Sequence, residues 1–121
     1  MKTIALLLIL SLLCLFFSGQ VQAQTLNTYQ PFDCSSTITT GNTAQLLCAG
    51  AVPQNGWEID NPDATNDLWV SDTTTALANA AGSIRVPANG GKYTTPPNSK
   101  PLGPISIVGG VTGQKFTARR F

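Results

Sequence analysis

Histidine is absent from the 121-residue sequence, and methionine occurs once, at position 1. Without an imidazole there is no Ser-His-Asp triad and no Cys-His pair to raise a nucleophile at neutral pH. Charged residues make up only 11% and nearly cancel, leaving a formal net charge of +1. Nothing in that balance draws the chain to nucleic acid or to an anionic membrane surface. Past Phe17 there is no long apolar run, and no 3.6- or 7-residue pattern survives, which removes helical bundles and coiled coils.

The first residues carry an export pattern. Lys2 supplies a positive start, residues 4–17 are apolar except for Ser11, and Ser18, Gly19 and Gln20 return the chain to polarity. Val21-Gln22-Ala23 offers the small residues a signal peptidase reads, so cleavage is expected between Ala23 and Gln24. The apolar run is shorter than the about 20 residues of a spanning helix and has no basic flank after it. Cys14 follows Leu13 inside that run, which is not the setting of a lipid-accepting cysteine. The expected organisation is a secretory signal over 1–23 and one domain over 24–121. The product is secreted or periplasmic, with no stable membrane insertion after cleavage.

Of the three cysteines, Cys34 and Cys48 remain after cleavage. An even pair in an oxidising compartment reads as a disulfide. Closing a loop of about 15 residues is worth roughly 3 kcal/mol on the chain-entropy model. Two cysteines without histidine make a poor metal site.

Short alternating runs separated by Gly, Pro and Asn clusters, roughly every ten residues, predict an all-β fold. Strands are expected over 33–39, 44–49, 57–60, 67–72, 83–86, 92–95, 104–108 and 114–120. The first two read as a hairpin across Thr40-Gly41-Asn42, with Cys34 and Cys48 bonded across its strands. Trp57 and Ile59 share one face of their strand, while Leu68 and Val70 share a face with Trp69 opposite. Residues 73–82 read as a helical turn or a crossover loop. About eight short strands suffice for a small two-sheet antiparallel sandwich, jelly-roll-like or immunoglobulin-like.

Charge order adds a further expectation. The acids Asp33, Glu58, Asp60, Asp63, Asp67 and Asp72 all precede the bases Arg85, Lys92, Lys100, Lys115, Arg119 and Arg120. Either the domain is a dipole that associates head to tail, or early acidic strands pair with late basic ones in one sheet. Pairing is the favoured reading.

Motifs for chemistry are sparse. Glu58 and Asp60 lie two apart on one strand face, a solvated edge rather than a pair of carboxylates across a cleft. The loop from Asp60 to Asp67 is acid-rich enough to suggest calcium, but Leu68 stands where an EF-hand needs glycine; an Asx-rich turn is the expectation. Asn89-Gly90-Gly91-Lys92 has no helix after it and is not a phosphate cradle. Phe121 ends the chain as an outer-membrane barrel would, yet Thr117 and Arg119 share its face, which lipid would not accept. No enzyme activity, metal or cofactor is expected. Trp69 and Tyr93 are the candidate binding surface, since exposed aromatic rings can stack on sugars.

The segments Gly56-Trp57-Glu58-Ile59-Asp60-Asn61-Pro62, Leu68-Trp69-Val70-Ser71-Asp72, Gly90-Gly91-Lys92-Tyr93, Ile105-Ser106-Ile107 and Gly113-Gln114-Lys115-Phe116-Thr117-Ala118 are similar in order to small uncharacterised β proteins encoded among bacteriophage and prophage structural genes. The resemblance runs from Gly56 to Phe121. It implies a virion-surface or accessory structural role and brings no catalytic residue. The functional expectation is a non-catalytic exported structural or protein-interaction module, acting through protein partners or self-association. A carbohydrate- or cell-surface-binding module is the alternative.

Overall fold

The computed structural model describes residues 31–53, 55–96 and 99–121. The export signal, its Ala23–Gln24 junction and the lead-in up to Gln30 lie outside these residues.

Nine strands form, all paired antiparallel, and there is no α-helix among the described residues. They are β1 (Phe32–Asp33), β2 (Ser36–Thr37), β3 (Gln45–Leu46), β4 (Trp57–Asn61), β5 (Leu68–Ser71), β6 (Ile84–Val86), β7 (Gly91–Thr94), β8 (Ser106–Gly109) and β9 (Lys115–Arg120). Alternation writes the core directly. Trp57, Ile59, Leu68, Val70 and Phe116 point inward and are almost wholly buried, each contributing roughly 1.5–3 kcal/mol of transfer free energy.

β1 and β2 lie end to end along β9, which pairs with β4, which pairs with β7; the second sheet runs β3, β8, β5, β6. Phe32 faces Arg120 and Thr37 faces Lys115 in one continuous register. The ladder is interrupted between them because the Ala118 N–H donates to the Ser35 hydroxyl, at 3.1 Å, rather than to a backbone carbonyl. Counting β1 and β2 as one strand, first pairs with last, second with second-to-last, and so inward to β5 with β6. That folded and rolled hairpin is the jelly-roll winding, and it decides between the two expected sandwich types.

The expected hairpin over 33–49 does not form. β2 joins the five-stranded sheet and β3 the four-stranded one, so the intervening turn crosses between sheets. It is held by the other crossing as well as by its own flanks: the Asn42 N–H donates to the Gly109 carbonyl at 2.8 Å and the Gly41 N–H to the Thr112 hydroxyl at 2.8 Å. A Cβ on Gly41 would lie 2.8 Å from the Gly110 oxygen, so only glycine lets the two crossings meet. Strand β3 is also shorter than expected. Cys48 and Ala49 have φ of 50° and 53°, in a 3-10 turn over Leu47–Gly50, which no strand tolerates.

The Cys34–Cys48 disulfide forms, with a Cα–Cα separation of 5.0 Å. It joins the two sheets, not the two arms of a hairpin. Next to it the Gln45 side chain spans the same gap, donating to the Thr37 carbonyl at 2.9 Å and accepting from the Thr39 N–H at 2.7 Å. The opposite side of the sandwich is joined by Asn61, which is fully buried although its neighbours Pro62 and Asp63 read as a strand break. Its amide donates to the carbonyls of Asn66 (2.8 Å) and Val86 (3.1 Å). Buried Gln114 donates to the same Asn66 carbonyl at 2.8 Å.

Candidate functional site

The two sheets present very different outer faces. On the five-stranded sheet, acidic β4 lies between basic β7 and basic β9, as their registers require. Asp60 pairs with Lys92 at 3.2 Å and Glu58 with Arg119 at 3.9 Å. On the other sheet, Asp67 meets Arg85 at 2.6 Å. Early acids thus meet late bases within each sheet, the favoured expectation from charge order.

On the four-stranded sheet, β5 turns Trp69 and Ser71 outward, opposite Val108 and Ser106 of β8. Residues 72–83 then fold back over this face as a strap. Serine hydroxyls pin it: Ser106 accepts from the Ala76 N–H at 2.9 Å, Ser83 from the Leu77 N–H at 2.9 Å, and Ser71 from the Thr74 N–H at 3.1 Å. Ser71 and Ala76 are fully buried as a result. This is why β8 is buried on both faces. Sequence reasoning left residues 73–82 undecided and passed over Ser71 and Ser106, because an outward serine on a strand ordinarily faces water.

Trp69 is half-buried beside the strap. It lines a cleft of about 280 Å³ with Leu77, Ala78, Asn42, Asn66 and Asp67, close to the lower end of ligand-pocket sizes. The rim is rigid. Asp63 Oδ1 accepts from the N–H groups of Thr65 (2.9 Å) and Asn66 (2.8 Å), an Asx turn closed by the loop's own groups. Those bonds hold the Asp63 carboxyl below its ordinary range. Asp67 is held low by the hydrogen bond from Arg85 and then by the Ala88 N–H. Asn42 and Asn66 each use the side-chain nitrogen within the protein, while their Oδ1 atoms accept no hydrogen bond among the described residues.

Tyr93 lies elsewhere. It is on β7 of the other sheet, inward, with its ring centroid 4.9 Å from that of Trp57. Burial, and then the charge of Asp72, push its hydroxyl pKa up. The structure therefore does not bring Trp69 and Tyr93 together: Trp69 borders an open cleft and Tyr93 packs on the core.

A larger groove, about 430 Å³, opens at the other end of the strap, between Leu46, residues 72–75 and residues 102–104. Leu102, 92% exposed, forms its lip. Among the described residues no group of three or more His, Cys, Asp or Glu side chains is placed to hold a metal ion. No helix among them is long and apolar enough to cross a membrane. Comparison with known proteins gave no matching family model, no matching curated protein and no matching solved structure.

Proposed function

We propose that the protein is a non-catalytic exported binding module whose working surface is the outer face of the four-stranded sheet, and that the Trp69 cleft takes a sugar ring. The observation that carries this reading is a half-buried indole walling a cleft whose rim carries the amides of Asn42 and Asn66, the Thr65 hydroxyl and the Asp67 carboxylate. A pyranose has an apolar C–H face and a belt of hydroxyls around it. An aromatic wall meets the first, and precisely placed polar groups such as Asn42 Oδ1 and Asn66 Oδ1 meet the second. Tryptophan fluorescence during titration with a panel of neutral saccharides tests it. Trp57 is fully buried, so a shift in emission reports Trp69, and Trp69→Ala abolishes both the shift and the binding. A flat response across the panel, with the protein folded, removes this reading. N-terminal sequencing of the exported protein, expected to begin at Gln24, tests the signal.

A structural or protein-interaction role, including a phage-derived virion accessory, is the second reading. What favours it is the pair of exposed side chains Leu102 (92%) and Leu46 (55%) beside one groove, on a winding that capsid and lectin domains share. Light scattering across the micromolar range distinguishes the two. A monomer at every concentration counts against self-association, and assembly abolished by Leu102→Ser counts for it.

A further inference from the structure

Building on the sugar reading of the Trp69 cleft, we infer that the ligand is a chain, a neutral oligosaccharide, and that the groove beside Asp72 holds its second unit. Cleft and groove open on either side of the strap: Leu77 and Ala78 line the first, and residues 73–75 line the second. Trp69 and Ser71 are two residues apart on β5, a separation of about 7 Å. Ser71 pairs with Ser106, and Ser106 lines the groove. The strap roofs the sheet between them, with Ser71 and Ala76 fully buried, so a ligand seated on Trp69 and longer than one ring reaches the groove by crossing over residues 75–77.

Among the described acids the groove holds the one left without a hydrogen bond or ion pair. Asp33 accepts from Ser35, Glu58 and Asp60 pair with Arg119 and Lys92, Asp63 closes its own turn, and Asp67 holds Arg85 and Ala88. Asp72 alone of these acids has neither a hydrogen bond nor an ion pair among the described residues, and it lines the groove. The Thr75 hydroxyl beside it is likewise unbonded, while Thr73 and Thr74 share theirs with Ser71. Leu46, Leu102 and Pro104 supply the apolar side. That mixture again suits C–H faces together with hydroxyl donors, which a carboxylate accepts strongly. No Lys or Arg lines the cleft or the groove among the described residues, so an acidic or sulfated chain would meet an unpaired carboxylate without a counter-charge.

Calorimetry of the full protein with glucose and cellohexaose, xylose and xylohexaose, and N-acetylglucosamine and chitohexaose tests this, with a sulfated glycan as the anionic arm. For the sugar that binds, the hexasaccharide is expected to bind about tenfold more tightly than its monomer, the effect of one charge-assisted hydrogen bond. Asp72→Asn, and separately Thr75→Val with Leu102→Ser, should erase that difference while monosaccharide affinity and melting temperature stay unchanged. Equal affinity for monomer and hexamer, preference for the sulfated chain, or groove variants that alter only self-association would each overturn the inference and leave the Trp69 site standing. Failure of every sugar to bind removes the Trp69 reading itself, and the second unit with it.

Discussion

The outer face of the five-stranded sheet and that of the four-stranded sheet start from the same alternating strands and end differently. On the first, outward positions are charged, the charges are satisfied across neighbouring strands, and the face stands open to water. On the second, outward positions of the central strands β5 and β8 are Ser, Val and Trp, covered for the most part by a strap of chain, while Arg85 and Leu46 flank them on the outer strands. Surface ion pairs of the first kind are worth little individually, whereas a covered face needs every buried polar group paired. On the covered face, Trp69 borders the middle of the strap, at Leu77 and Ala78, and Asp72 stands at its start.

Experiments that remove one support at a time sharpen this contrast. The largest effect is expected from Cys34→Ser with Cys48→Ser, which releases both sheets alike. Chemical denaturation should show a loss of roughly 3 kcal/mol, and a loss below 1 kcal/mol would mean that the Gln45 and Asn61 contacts hold the sheets unaided. Ser106→Ala acts on the covered face only. It strands the buried Ala76 N–H, costing about 1–3 kcal/mol, and hydrogen exchange should accelerate across residues 72–83 while β4 and β9 keep their protection. Uniform acceleration would show that the strap is no separate unit. Glu58→Gln acts on the open face and should cost about 0.2–1 kcal/mol, shrinking further in high salt.

The smallest effect is on the cleft rim and depends on acid. Asp63 and Asp67 have carboxyl pKa values lowered below the ordinary 3.8. A group depressed in the folded state binds its proton less readily there than in the unfolded chain. Its contribution is therefore complete above the unfolded value and fades as pH falls through the folded one. Melting temperature should be flat from neutral pH down to about pH 5 and decline below pH 4. In Asp67→Asn that decline should be shallower, and an unchanged acid limb would discount the Arg85 contact.

Much of this was legible from residues. Period-two alternation located β4, β5 and β9, set Trp57 inside and Trp69 on the opposite face, and the charge order foretold the cross-strand pairs. The disulfide pairing was legible, but its place was not. Two short strands around a Gly-Asn turn look alike whether they fold onto each other or onto opposite sheets. What separates them is a partner about 70 residues away, at Gly109 and Thr112. Tyr93 was missed as a core residue because an edge strand alternates without saying which side is covered. Asn61 and Ser106 were missed because the polar partners that make their burial tolerable come from distant segments. In the candidate site Trp69 was visible in sequence, while Asp72 was visible only as one more acid until every other acid had found its partner.

The nested winding also bears on the order in which the structure is made. β5 and β6 are close in sequence, and their ladder closes the shortest loop of the nested pairs. Once it exists, β4 with β7 and β3 with β8 each close a gap already shortened by the pair before, so the entropy of loop closure is met in small steps. β9 with β1 and β2 comes last. Loop-closure entropy thus favours a chain that zips from its middle, with the strap between β5 and β6 as the loop at its first tooth. The segment that covers the outer face of the four-stranded sheet is also where folding has least distance to travel.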